Sequence, residues 1–212
     1  MKTLIKKKTT ISENDNLIIL CSAKSNLTKF KLTKKELNYI KKAKTEIIEI
    51  NQYKRWIFIV IPKKEPNLNQ HSENCRMIGD ALAIKLKDLN AAVIVNLKKN
   101  QNEAMQIAEG IALSNYTFTK HKTNPKPNKL KTVYLCEKSN QKDINELQNI
   151  IDAVYFTRDL INEPFSHLTA KDLANAASKS AKKNNVKTTI LNKKKIESLK
   201  MGGLLAVNKG SI

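Results

Sequence analysis

Short apolar runs alternate with amphipathic stretches along the first three quarters of the chain. Leu17-Ile-Ile-Leu-Cys-Ser22 has the length and continuity of a buried strand. Thr33-Lys-Lys-Glu36 is a capping-box pattern and predicts a short helix running to about Lys44. Glu46–Ile50 and Trp56–Ile61 read as strands, and the polar Asn51–Arg55 between them predicts a hairpin that Pro62 and Pro66 close. Ser72 to about Leu89 is helical, with Met77, Ala81, Ile84 and Leu86 mostly on one side. Ala91–Asn96 is an apolar strand. Gln101–Tyr116 is a second helix, with Ala104, Ile107, Ala108, Ile111 and Asn115 at helical spacing and an alanine-rich face suited to close packing. Lys131–Cys136 is the next strand. Asp143–Asn162 is a long helix carrying Leu147, Ile150, Ile151, Val154 and Ile161, and it stops where a proline follows. Strands alternating with helices predict an α/β sheet covered on both faces.

The character changes after Pro164. Thr169-Ala-Lys-Asp172 opens a helix to about Asn184, again with a capping box. Val186–Leu191 reads as a strand, Lys193–Leu199 as a short helix and Leu204–Val207 as another strand. Two short strands and two helices are too little for an independent α/β core, so this tail is expected to be the opening of an incomplete second domain.

Charge changes the picture only in part. The 212 residues include 39 Lys plus Arg against 19 Asp plus Glu, a net charge of +20. Only Arg55, Arg76 and Arg158 are arginines; the remaining 36 basic residues are lysines, and they come with 24 asparagines. Lys and Asn rising together look like a codon bias toward A and T. Lysine is a hydrated point charge, whereas arginine carries most bidentate phosphate and guanine recognition. The stretch from Lys120 to Lys131, with Lys120, Lys122, Lys126, Lys129 and Lys131, is read either as a solvated proline-containing loop or as a weak, nonspecific nucleic-acid contact; it lacks interleaved aromatics.

Other chemistry is sparse. Cys21, Cys75 and Cys136 form no CxxC and no disulfide framework, which fits a reducing cytoplasmic compartment. His71, His121 and His167 are scattered, and the five glycines make no GxGxxG or phosphate loop. No apolar run approaches the roughly 20 residues of a membrane span, and no apolar segment behind the N-terminal lysines resembles a secretory signal. Cys21 reads as a buried strand residue, Tyr116 and Phe118 as core, and His121 as exposed.

Four stretches carry a resemblance. Arg158-Asp-Leu-Ile-Asn-Glu-Pro164, Leu168-Thr-Ala-Lys-Asp-Leu-Ala174 and Met201-Gly-Gly-Leu-Leu-Ala-Val-Asn-Lys-Gly-Ser211 resemble the leucyl aminopeptidases, cytosolic two-metal exopeptidases. Ala108-Glu-Gly-Ile-Ala-Leu-Ser-Asn-Tyr116, followed by Phe118 and Lys122, is similar to a segment of that family's N-terminal domain. The four occur in the family's order, and the similarity covers roughly residues 104–212.

The resemblance implies a macro-domain-like mixed α/β sheet with helices on both faces over residues 1–141. A linker helix over 142–165 and the first helix-strand-helix-strand of an incomplete catalytic α/β domain over 166–212 follow. It implies a homo-hexameric enzyme that removes N-terminal residues from peptides with two divalent metals, commonly Zn, Mn or Mg. It makes Arg158, Asn162, Glu163 and Pro164 an interdomain linker, where Arg158 and Asp159 either bridge domains or form a solvated helical pair. The family's metal ligands lie in Gly-Lys-Gly-x-Thr-Phe-Asp-Ser-Gly-Gly and Asn-Thr-Asp-Ala-Glu-Gly-Arg segments, and neither occurs here. No catalytic or metal-binding residue is therefore expected in this chain, and no cofactor. DNA binding through the basic N-terminal domain, as in some bacterial relatives, is the alternative; ADP-ribose binding by a macro-like domain ranks last for want of a glycine-rich loop.

Overall fold

The computed structural model describes residues 2–98, 102–136 and 139–210. They divide into two compact units, Met1–Asp159 and Leu160–Ile212. In the first, six strands make one sheet: β1 (Leu4–Lys8), β2 (Leu17–Leu20), β3 (Ile47–Asn51), β4 (Trp56–Val60), β5 (Ala91–Asn96) and β6 (Thr132–Cys136), in the order β1-β6-β5-β2-β4-β3. Every neighbouring pair is parallel except β3 with β4, which is the expected hairpin. Central strands of a parallel sheet are buried on both faces, and β2 accordingly buries all four of its residues.

The strands' alternate side chains feed two cores. On one face Ile18, Leu20, Phe58, Ile94 and Leu135 pack with helices α2 (Leu68–Leu86), α3 (Asn102–Ser114) and α4 (Gln141–Asn162). On the other, Leu17, Ile19, Ile57, Ile59 and Val95 pack with a short 3₁₀ turn at Thr28–Phe30 and with α1 (Lys34–Lys42). Helices thus cover both faces, as the alternation of elements predicts. Thr33 and Glu36 form the capping box at the start of α1.

Helices α2 and α3 cross at two glycines. A Cβ on Gly79 would lie 2.4 Å from the Ile107 carbonyl oxygen, and one on Gly110 would lie 2.1 Å from that of Arg76. The small residues here serve backbone-to-backbone approach, as the alanine-rich face of α3 suggests.

Helix α2 begins four residues before the expected Ser72, with Met77 and Ile84 exposed, and two segments differ in kind from the sequence expectation. Strand β1 was not expected: Leu4-Ile-Lys-Lys-Lys8 shows no apolar run, and pairing with β6 alone makes it a strand. An edge strand rich in lysine is also poorly suited to pairing with a foreign chain. In the second unit, the expected strands at Val186–Leu191 and Leu204–Val207 do not form. Residues 186–191 have no regular structure, and the second segment lies in helix α7 (Gly202–Val207). A strand exists by virtue of a hydrogen-bonded neighbour, and no strand of this unit is present among the described residues. The helices of the tail are as expected: α5 (Ala170–Lys183), with the Thr169–Asp172 capping box, and α6 (Lys193–Ser198).

Candidate functional site

Two of the family-like stretches meet where α4 lies against the end of α3. Arg158, half-buried, donates from Nη1 to the Leu113 carbonyl at 2.6 Å, and its guanidinium carbon stands 5.5 Å from the centre of the Tyr116 ring. The Tyr116 hydroxyl donates to Asp159 Oδ1 at 2.8 Å. Tyr155 packs edge-on against Tyr116, with ring centres 5.1 Å apart, and donates its hydroxyl to the Ala112 carbonyl. Burial pushes the Tyr155 hydroxyl above its ordinary pKa, which keeps it a neutral donor. Beneath it, buried Asn115 donates from Nδ2 to Thr3 Oγ1 and to the Leu130 carbonyl, each at 2.8 Å. A helix C-terminus presents unpaired carbonyls, and a cation there is favourably placed. Arg158 is therefore a fastening between two helices of the first unit, and Tyr116 and Asp159 belong to the same fastening. Sequence spacing does not place Arg158 beside Leu113, because the pair is 45 residues apart.

The second unit holds the rest of the expected linker. Asn162 is the last residue of α4 and is exposed. Glu163 donates its backbone N–H to the Leu160 carbonyl at 3.4 Å. Pro164 opens a turn whose carbonyl accepts from the N–H groups of His167 (2.8 Å) and Leu168 (3.0 Å).

A different constellation, which sequence reading does not single out, invites comparison with a cysteine nucleophile. His71 and Cys75 are one helical turn apart on α2, and Cys75 Sγ lies 4.0 Å from His71 Nε2. Glu103 Oε1 lies 2.9 Å from the same Nε2. A relay needs the base to address nucleophile and carboxylate through its two different nitrogens, and here both neighbours converge on one. Lys98 Nζ also reaches Glu103, at 2.8 and 2.6 Å from its two oxygens. Cys75 is fully buried, and burial, reinforced by the Glu103 charge, pushes its thiol up to about 11. The group is an ion-paired core element and not a reactive centre. Cys21 is likewise buried and raised to about 11, in keeping with a core strand residue. The i, i+4 spacing of His71 and Cys75 is the one signal that the sequence offers for this cluster.

The basic stretch lies on the surface. Lys120, Lys122, Lys126, Lys129 and Lys131 are all exposed. Its backbone is tied to the α2–β5 connection, through the Lys129 N–H to the Lys87 carbonyl (2.6 Å) and the Lys131 N–H to the Asn90 carbonyl (2.9 Å). His121 is exposed and tilted against half-buried Phe118 at 5.7 Å. The three arginines are all engaged within the fold: Arg55 donates to the Phe30 carbonyl at 2.8 Å, Arg76 to Glu109 at 2.8 Å, and Arg158 to Leu113. The positive surface is thus a lysine surface.

Among the described residues, no group of three or more His, Cys, Asp or Glu is arranged to hold a metal ion. No described helix is long and apolar enough to cross a membrane.

Comparison with known proteins shows the kinship. Residues 155–212 match the family model described as cytosol aminopeptidase family, catalytic domain. A probable cytosol aminopeptidase of Clostridium tetani is 34% identical over 166 residues, covering 74% of this chain and 34% of that protein. One from Chloroherpeton thalassium is 29% identical over 235 residues, covering 95% of this chain and 45% of that protein. This chain is a relative of the N-terminal part of the cytosol aminopeptidases. It spans less than half the length of these two relatives. The fold agrees. A tomato leucine aminopeptidase variant superposes on 99% of this chain and 48% of its own length, with a TM-score of 0.73 at 18% identity. The bottromycin maturation enzyme BotP, solved in complex with Mn, covers 93% of this chain with a TM-score of 0.68 at 14% identity. The mixed sheet and its helices therefore have the architecture of the N-terminal portion of leucine aminopeptidase.

Proposed function

We propose that this chain is the N-terminal, non-catalytic portion of a cytoplasmic, metal-dependent leucyl aminopeptidase, and that it is inactive by itself. Residues 1–141 form the macro-like α/β domain, 142–165 the linker helix and 166–212 the opening of the catalytic domain. The observation carrying this reading is the catalytic-domain match over residues 155–212, downstream of a sheet built like that of leucine aminopeptidase.

A pair of Zn, Mn or Mg ions that activates water needs several carboxylates converging on one pocket. The described residues of this chain do not fit such a centre, and no step of metal chemistry is assigned to them. What this portion contributes to the intact enzyme, which removes N-terminal residues from peptides, is assembly into a homo-hexamer and control of access to the active site. Arg158 serves that role by rooting α4 on the α3 terminus; Asn162, Glu163 and Pro164 end the helix. Leu173, Leu204 and Val207 of the second unit are 46%, 60% and 85% exposed. Packing with the remainder of a catalytic domain buries them.

The test is hydrolysis of leucine p-nitroanilide by the purified 212-residue chain with and without Mn²⁺. No metal-dependent turnover is expected. Turnover above that of Mn²⁺ alone overturns the assignment.

A further inference from the structure

A cleft of about 330 Å³ opens between α3 and α4 within the first unit. Asn102, Met105, Gln106 and Glu109 line it from α3, and Asp143, Glu146, Leu147 and Ile150 line it from α4. Both sets follow the i, i+3, i+4, i+7 spacing of one helix face. Ser139 and Asn140 complete the wall.

Three properties make this more than a gap between helices. First, its charge runs against the molecule. The chain carries 39 basic residues and a net +20, yet among the described residues three carboxylates and no lysine or arginine line the cleft. Second, its polar groups are left with bonding capacity. Gln106 donates its amide nitrogen to Ser72 at 2.7 Å, while its Oε1 is buried with no hydrogen-bond partner among the described residues. Buried polar atoms without partners are uncommon and costly. Third, Met105, Leu147 and a half-exposed Ile150 supply apolar wall beside the carboxylates. Of the carboxylates, Glu109 is held by Arg76 at 2.8 Å and Glu146 stands 4.0 Å from exposed Lys142, whereas no ion pair is found for Asp143 among the described residues.

An anionic, acceptor-rich cleft with an aliphatic wall suits a hydrogen-bond donor that is positively charged and carried on an apolar stem. We propose that the α3–α4 cleft binds an alkylammonium group, with Asp143 and Glu146 taking the charge, Gln106 Oε1 accepting a hydrogen bond, and Met105, Leu147 and Ile150 covering the methylenes. The same chemistry comes from a free diamine or from a lysine side chain of a polypeptide. This reading is independent of the peptidase assignment, since it concerns only residues of the first unit.

The experiment is methyl NMR on the full 212-residue chain labelled at the methionine methyl groups, titrated with 1,5-diaminopentane at low salt. The Met105 methyl is expected to shift saturably at millimolar ligand, while the Met77 methyl on the outer face of α2 stays put. The neutral isostere 1,5-pentanediol is expected to give no saturable shift. The double variant Asp143→Asn, Glu146→Gln, at two exposed positions, is expected to weaken binding about tenfold or more by removing two charges near the cation. A parallel titration with Nα-acetyl-lysine amide separates the sources. Saturation as tight as the diamine's assigns a polypeptide lysine; saturation by the diamine alone assigns a free polyamine. No saturable Met105 shift with either amine, an equal response to the diol, or unchanged binding in the double variant overturns the proposal.

Discussion

Helices α1 and α5 begin from the same local signal and end in different surroundings. Each opens on a threonine whose side chain accepts from the N–H three residues on, while an acidic side chain at that position accepts from the threonine N–H: Thr33 with Glu36, and Thr169 with Asp172. Both are amphipathic. Yet α1 buries Ile40 against the sheet, with Leu27, Phe30 and Ile48 in the same core, whereas α5 buries no residue, and its Leu173 is 46% exposed. The difference teaches that capping and periodicity specify a helix, while burial is conferred by whatever the apolar stripe meets. The first unit supplies a six-stranded sheet; the second has three short or medium helices and exposed Val186, Ile190, Leu199, Leu204 and Val207.

That contrast is most sharply broken by hydrogen exchange. Amides of Leu17–Leu20, in a fully buried central strand, are expected to exchange only through global unfolding. Those of α5 are expected to show protection lower by roughly a thousandfold or more, because few buried contacts hold the helix. Limited proteolysis follows the same order, with cuts first in residues 168–212. Equal protection of the two units would show that the tail has a packed core of its own.

Glycine substitutions probe the same difference through packing. Gly110→Val drives a side chain into the Arg76 carbonyl, where a Cβ alone stands at 2.1 Å. Overpacking of this kind costs about 1–3 kcal/mol or more, read as a lowered denaturation midpoint of the first unit. Gly202→Ala, in α7, meets nothing within 4 Å. It is expected to leave that midpoint unchanged and to raise local helix content, in line with a helix-propensity gain of up to about 1 kcal/mol. A loss on Gly202→Ala comparable to that of Gly110→Val would place a close neighbour where none is described.

The smallest effect separates the two caps. Thr33→Ala is expected to lower the stability of the first unit by about 1 kcal/mol, the usual loss for an N-cap. Thr169→Ala removes the same bonds but is expected to leave the global midpoint unchanged, reducing only the circular-dichroism helix signal. The Glu36 carboxyl adds a pH signature. Burial pushes it upward, but hydrogen bonds from the Thr33 N–H and hydroxyl and from Gln52, with Arg55 nearby, outweigh this and hold it below its ordinary value. A depressed carboxylate contributes stability above its unfolded pKa, and that contribution fades as the pH falls through the folded value. The Thr33→Ala difference should therefore be largest near neutrality and shrink in acid.

Much of the first unit was legible along the chain. Ala91–Asn96 coincides with β5, and the hairpin, α1, α3 and α4 fall within a residue or two of their expected bounds. These elements carry their own apolar period, caps or stops. What failed has one cause: a strand is a relation between segments. Leu4–Lys8 lacks a strand pattern and is a strand because β6 is beside it; Val186–Leu191 has the pattern and no neighbour. The fastening at Arg158 was hidden for a similar reason, since Leu113, Tyr116 and Tyr155 gather around it only after α3 and α4 pack.

By itself, then, the amino-acid order determined the helices, the buried central strands, the lysine-dominated surface and the kinship with the cytosol aminopeptidases, because each is written in neighbouring residues or in composition. The tertiary structure alone decided which edge segment joins the sheet, that all three arginines bond within the fold, that Cys75, His71 and Glu103 gather into one group, and that carboxylates from two helices share one cleft. Those outcomes depend on contacts between residues dozens of positions apart, and only the folded chain brings such residues within reach of one another.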